Sequence, residues 1–160
     1  MSAVSDASLR RFAGYTMKRA FNAVQADVNA VLAPFGLRMV TFSALVVIVD
    51  NPGLKQSELA RILMIERPNL VVILDGLERA DWITRDRSTT DRRAYQLRCT
   101  LAGAQLCLAA QQAVATHDQS MLQGLSAEQI AALHTGLRRV EVNGTARKGD
   151  RDEPTRLSGS

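Results

Sequence analysis

Residues 56–99 read QSELARILMIERPNLVVILDGLERADWITRDRSTTDRRAYQLRC, and a change of period inside that stretch decides the architecture. Apolar residues first recur three or four apart, as on one face of a helix. Gln56 to Leu63 predicts a short helix, and Pro68 to Arg79 a second, with Leu70, Ile73, Leu74 and Leu77 on one face. Pro68 suits a first helical turn, where its missing N–H had no partner in any case. The period then becomes two. Trp82 to Arg85 and Ala94 to Cys99 predict two short strands, the second with Tyr95, Leu97 and Cys99 on one side. Between them Asp86 to Arg93 is too charged to be buried. Five arginines and two aspartates fall between Trp82 and Arg98, a local surplus of three positive charges.

Outward from this block the chain is helical on both sides. Leu9, Phe12, Ala13, Met17, Ala20, Phe21, Val24, Val28, Val31 and Leu32 predict one long amphipathic helix, broken by Pro34 and Gly36. Met39 to Val49 predicts a more uniformly apolar helix, ended by Asp50-Asn51-Pro52-Gly53. On the other side Thr100 can cap a helix that carries no formal charge from Leu101 to His117. So little charge over that length implies burial on more sides than one small domain supplies. Ser126 and Gln129 form a capping-box pair for a last helix, with Ile130, Leu133, Leu137 and Val140 as its stripe. Asn143 to Ser160 is polar, of mixed charge, and contains Gly144, Gly149, Pro154 and Gly159, which predicts a flexible tail.

Length and composition narrow the function classes. The 160 residues make about one domain, and 46% hydrophobic content excludes wholesale disorder. The longest unbroken apolar run, Ala44 to Val49, is far short of the roughly 20 residues of a membrane span. Met1 to Leu9 lacks a basic region followed by an apolar stretch, so the expectation is a cytoplasmic chain with no membrane partner. Two cysteines, Cys99 and Cys107, do not make a disulfide scaffold or a four-ligand zinc site. His117 and His134 are raw material for nucleophilic catalysis, but no spacing joins them to a cysteine as a dyad. With no phosphate-binding glycine loop or metal-ligand cluster, neither an enzyme nor a cofactor is expected. The net charge is +4, and with only three lysines, seventeen of the twenty basic residues are arginine. Genomic base composition is the bland source of that bias; the other is the fit of a planar guanidinium to phosphates and base edges.

Two helices on a tight connection, followed by a hairpin with an arginine-rich tip, are the order of a winged helix-turn-helix. The side chains suit duplex DNA. Arg67 can donate to guanine O6 and N7 or to phosphate, and Asn69 can pair with adenine. Val71 and Val72 point outward, where thymine methyls would meet them. N–H groups near Gln56, Ser57 and Pro68 face phosphates. Loop arginines such as Arg92 and Arg93 reach a narrow minor groove. The rival class is a helical interaction module that binds no DNA, and the charged hairpin counts against it.

Leu54-Lys55-Gln56-Ser57-Glu58-Leu59-Ala60, then Leu70 through Leu77-Glu78-Arg79, then Asp91-Arg92-Arg93 with Leu97 and Thr100, resembles the MarR family. The likeness runs from about Leu9 to Val140, and the Asp-x-Arg wing motif is its most specific part. It implies a mostly α fold with a small two- or three-stranded β wing: a winged helix-turn-helix over 37–99, dimerisation helices over 6–36 and 100–142, and a flexible tail over 143–160. It implies a homodimeric regulator of transcription, usually a repressor, that binds a palindromic operator in double-stranded DNA and is released by a small ligand. Arg93 would enter the minor groove with Asp91 holding its guanidinium. The first, fifth and sixth helices would form the interface between copies. Three positions depart from the family's pattern. Lys55 stands where a capping threonine is common, which weakens the cap and adds a cation for phosphate. Asp81 replaces a usual glycine before the first wing strand, and Cys99 a usual leucine.

The same resemblance implies a ligand cleft between the first, second and fifth helices and the reading domain. The polar and aromatic residues carried to it are Tyr15, Arg19, Arg38, Met39, Phe42 and His117; the plain reading of Tyr15, Met39 and Phe42 is core packing, and of His117 a solvated side chain. Gly14-Tyr15 with Lys18-Arg19 is similar to members that answer to aromatic carboxylates or their coenzyme A thioesters. An arginine there would pair with a carboxylate or phosphate. Oxidation sensing through a thiol is the alternative signal, but relatives that use it carry the cysteine near the first helix, and this chain has none there.

Overall fold

The computed structural model describes residues 4–87 and 95–152, with the backbone alone for 147–152. A 3-10 turn, Leu9–Arg11, precedes α1 (Ala13–Leu32), so the single helix expected from Leu9 is interrupted at Phe12, whose backbone is extended. Asp6 accounts for the break. Its carbonyl accepts the N–H groups of Leu9 and Arg10, and its carboxylate accepts Arg10 Nε and the Tyr15 hydroxyl at 2.8 Å each.

α1 ends at Pro34 and Gly36 as the sequence predicts, Gly36 taking φ +68. The turn delivers α2 (Met39–Asp50), whose first N–H groups are capped from two directions. Asn29 Oδ1 on α1 accepts Met39 N at 2.8 Å, and Thr41 Oγ1 accepts Arg38 N at 2.8 Å. α3 (Gln56–Leu63) and α4 (Arg67–Arg79) follow, then β2 (Ile83–Arg87) and β3 (Tyr95–Cys99). A two-residue strand, β1 (Leu54–Lys55), completes an antiparallel sheet in the order β1-β3-β2, with Leu54 opposite Leu97 and Arg85 opposite Leu97 from the other side. Two residues are too short to show a period, which is why the sequence does not reveal β1.

Buried leucines and isoleucines from α1 to β3 join α5 (Leu101–Met121) in one core: Leu32, Leu45, Ile48, Leu59, Leu74, Ile83 and Leu97 are fully covered, and Cys107 and Ala110 meet them from α5. Gly103 sets how near α5 comes to the wing. A Cβ there would lie 2.1 Å from the Trp82 carbonyl oxygen and 2.9 Å from Cys99 Sγ. Thr100 caps α5 as predicted, its Oγ1 accepting Gly103 N at 3.0 Å and donating to Asp81 O at 2.7 Å. Asp81 has φ +58, the left-handed conformation after a helix end. Asp81 N donates to Glu78 O and Trp82 N to Leu77 O, so the last carbonyls of α4 are satisfied although the turn carries aspartate instead of glycine.

α6 (Ala127–Asp152) belongs to a second unit, 122–160. Its capping box forms: Ser126 N donates to Gln129 Oε1, and Gln129 N to Ser126 Oγ. Leu133, Leu137 and Val140 are exposed along it. The helix continues past Val142 to Asp152, into the stretch read as a tail; no proline intervenes before Pro154, and Thr145 Oγ1 bonds back to the Val142 carbonyl at 2.9 Å. Among the described residues no single helix is long and apolar enough to cross a membrane.

Two substitutions test these turns by thermal or urea unfolding. Asp81→Gly removes the left-handed penalty and is expected to stabilise by about 0.5–1 kcal/mol. Gly103→Ala drives a methyl into backbone and is expected to destabilise by about 1–3 kcal/mol. Equal stability of both variants to wild type would contradict the geometry.

Candidate nucleic-acid interface

α4 buries Leu70, Leu74 and Leu77 and half-buries Ile73. With 3.6 residues per turn, that fixes the opposite side as the one facing outward. Pro68, Asn69, Val72 and Gly76 are exposed on that side, Val72 at 72%, and Arg67 is exposed at the start of the helix, in line with the leucines. Among the described residues no side chain caps the start of α4, so its first N–H groups point past Arg67 and Asn69. α3 is anchored by Leu59 and leaves Ser57 exposed and Gln56 half-buried. Lys55 supplies no side-chain cap; instead Glu58 Oε2 accepts Lys55 N at 2.9 Å. The connection to α4 turns at Met64, φ +53, where Met64 N donates to Arg61 O and Ile65 N to Ala60 O.

The hairpin is tied to α4 by a residue that sequence reading only counted as loose charge. Arg85 Nη2 lies 2.6 Å from Asp75 Oδ1, and its guanidinium donates to Glu78 Oε2, Nε at 2.8 Å. The hydrogen bond from Arg85 holds the Glu78 carboxyl below its ordinary value, and Glu78 raises Arg85 in return. The signal was available: Asp75 and Glu78 stand three apart on one helix face, an acidic pair that can hold one guanidinium between them. Arg98 is also partnered, 3.6 Å from Asp86. Arg87 is exposed on β2. Asp91, Arg92 and Arg93 lie outside the described residues.

The residues carried to a ligand cleft are divided among α1 (Tyr15, Arg19), the start of α2 (Arg38, Met39, Phe42) and α5 (His117). Tyr15, half-buried near its start, gives its hydroxyl to Asp6. Arg19 is exposed one turn later. Arg38 is exposed at the far end and lines a cleft of about 600 Å³ with Asn29, Ala30, Ala33, Gly36 and Leu37. The rise of α1 from Tyr15 to that cleft is about 20 Å. Met39 and Phe42 are half-buried against the core, as packing predicts. His117 is buried instead of solvated, because α5 turns it toward α1, where Nε2 lies 3.1 Å from Asp27 Oδ2. Burial pushes the Cys107 thiol up to about 11 and raises Cys99 as well, so neither is a thiolate at neutral pH.

Residues 37–95 match the sequence profile of the MarR family. A transcriptional repressor of Mycobacterium tuberculosis, Rv2887, is 30% identical over 129 residues, 81% of this chain and 90% of its own length. The chain belongs to the MarR family. A transcriptional regulatory protein for the hcr operon of Thauera aromatica is 41% identical over 85 residues, a match that spans only 51% of that protein. The repressor CouR, solved on a 23-mer DNA duplex, superposes with TM-score 0.83 at 35% identity, covering 88% of this chain and 99% of that one. CouR bound to p-coumaroyl-CoA gives TM-score 0.79 at 32% identity, covering 87% and 98%. This MarR-family member is therefore a winged-helix transcriptional regulator, not an enzyme. The matched residues run from the start of α2 into β3, the segment whose period changes announce it.

The Arg85 bridge has a pH signature. Glu78 titrates lower folded than unfolded, so its contribution is full above the unfolded value, about 4.3, and is lost as pH falls through the folded one. Glu78 is 40% exposed, which limits the gain to about 1 kcal/mol or less. The stability difference between wild type and Arg85→Met is expected to be level above about pH 5 and to shrink toward pH 3 in melting curves. A difference that is flat down to pH 3 would remove the bridge.

Proposed function

We propose that two copies of this chain bind a palindromic operator as a repressor, one α4 in each of two successive major grooves, and that a coenzyme A thioester of an aromatic acid releases them. The observation that carries the DNA reading is the exposed row Pro68, Asn69, Val72 and Gly76 on the side of α4 away from its buried leucines, with Arg67 exposed at the helix start. Arg67 and Asn69 have the groups that read guanine and adenine, and Lys55, Gln56, Ser57 and Pro68 sit where phosphates pass. Arg93, with Asp91 and Arg92, is assigned to the minor groove. The homodimer is supported by apolar side chains that one copy leaves bare: Phe12 and Phe21 on the α1 side, Leu101 and Leu108 on α5, and Leu133 and Leu137 on α6.

CouR's complexes with a DNA duplex and with p-coumaroyl-CoA support both partners. Tyr15, Arg19, Arg38, Met39, Phe42 and His117 are assigned to the effector. Their spread from Tyr15 near the start of α1 to Arg38 beyond its end favours an elongated thioester over a compact free acid. Thiol sensing is the weaker reading, since both cysteines are held protonated by burial.

Mobility shifts on a palindromic duplex test the proposal. Arg93→Ala is expected to cost about 1–3 kcal/mol of operator affinity, and log affinity to fall steeply with log salt. Aromatic acyl-CoA thioesters are expected to release wild type, while Arg19→Ala binds the duplex normally and responds weakly. Salt-independent binding, or unchanged binding by Arg93→Ala, would overturn the DNA reading. A full response by Arg19→Ala would take Arg19 out of the effector site.

A further inference from the structure

We propose that Val72 reads the C5 methyl group of a thymine in the major groove and so sets an A·T base pair in each operator half-site. The inference rests on the DNA-binding reading above and adds to it the base and the atom recognised. Val72 is the most exposed apolar side chain on α4, at 72%, and stands outward one turn beyond Pro68. A solvated helix face does not favour a β-branched residue, which loses χ1 freedom there and gains no packing. Its neighbours on the same face are chemically informative. Asn69, three residues before it, carries the amide that pairs with adenine N6 and N7. Gly76, four residues after it, is exposed in mid-helix, and a Cβ built there meets nothing within 4 Å.

Glycine in a helix interior weakens the helix relative to alanine, and no atom of the described residues near Gly76 requires the missing side chain. Bare backbone at that position leaves room for an outside surface to come close. The face thus runs from an adenine-type donor and acceptor, through an isopropyl group, to an open step. A duplex edge complementary to that order presents a methyl group where Val72 projects, and thymine is the standard base that carries one in the major groove. Valine has no hydrogen-bonding group, so discrimination here is by burial of methyl against methyl.

The test uses the full-length protein and duplexes selected by it from a random library of about 30 base pairs. Each thymine of the selected consensus is replaced in turn by deoxyuridine, which keeps every hydrogen-bonding group and removes only the methyl. Wild type is expected to lose affinity about fourfold at one position per half-site, the effect of burying one methyl group. Val72→Ala is expected to bind the thymine duplex more weakly and to bind the thymine and deoxyuridine duplexes equally at that position. Val72 is exposed, so the variant keeps its core, and an unchanged melting temperature checks that. If no position costs wild type more than it costs Val72→Ala, the inference is overturned while the selected site stands. If no sequence is enriched at all, the DNA-binding reading itself falls.

Discussion

Rotation of α4 about its own axis is the constraint on which the reading face depends. Leu70, Leu74 and Leu77 occupy one side of the helix and are covered, with α2's Leu45 and Ile48 in the same core. Each covered leucine contributes about 1.5–3 kcal/mol, so turning the helix would expose several kcal/mol of apolar surface. The Arg85 bridge to Asp75 and Glu78 joins groups that are partly exposed, and such a pair contributes about 1 kcal/mol at most. Apolar burial therefore sets which residues face outward. The bridge does less: it fastens β2 to α4, so that the hairpin and the recognition helix keep one relative position.

The ends of α4 are fixed by backbone in a conformation that L-residues resist. Met64 and Asp81, at φ +53 and +58, bracket the helix, and neither is glycine. A left-handed residue costs roughly 1–2 kcal/mol, less for aspartate. Each turn is held by a pair of backbone hydrogen bonds to the preceding helix, and at Asp81 by the Thr100 hydroxyl as well. The chain thus tolerates strain on both sides of the element that must be presented at one angle. Thr100 also caps α5, so a single side chain links the exit of α4 to the helix that leads away from the wing.

What the sequence makes legible follows from how local each signal is. The bounds of α3 and α4 are readable because Leu59, Leu70, Leu74 and Leu77 repeat at helical spacing and Pro68 marks a start. Thr100, Ser126 and Gln129 are readable as caps because capping is a three-residue event. The interruption at Phe12 is not readable, since it is made by Asp6 reaching Arg10 and Tyr15 from outside the helical stripe. The burial of His117 is hidden for the same reason: its partner, Asp27, is ninety positions away in the chain. Arg85 looks like one more arginine of the charged hairpin until the fold sets it over two carboxylates. The residues assigned to an effector rest on resemblance alone, because a cleft is a relation between elements and no period in the chain encodes it.

The composition of α5 bears on how two copies of the chain would meet. Within one copy the helix covers a single stripe, Gly103, Cys107, Ala110 and His117, yet it carries no charge from Leu101 to His117 on any side. Folding of one chain does not demand that; a solvated face tolerates lysine or glutamate at little cost. The uncharged, exposed remainder is accounted for if a second copy covers it. On that reading the separation of the two α4 helices, about 34–36 Å for successive grooves, is set by contacts of α1, α5 and α6 between copies. Under the proposed effector reading, a ligand seated beside Tyr15 and Arg19 would act on affinity by shifting the spacing of two intact reading faces, without touching any residue assigned to DNA.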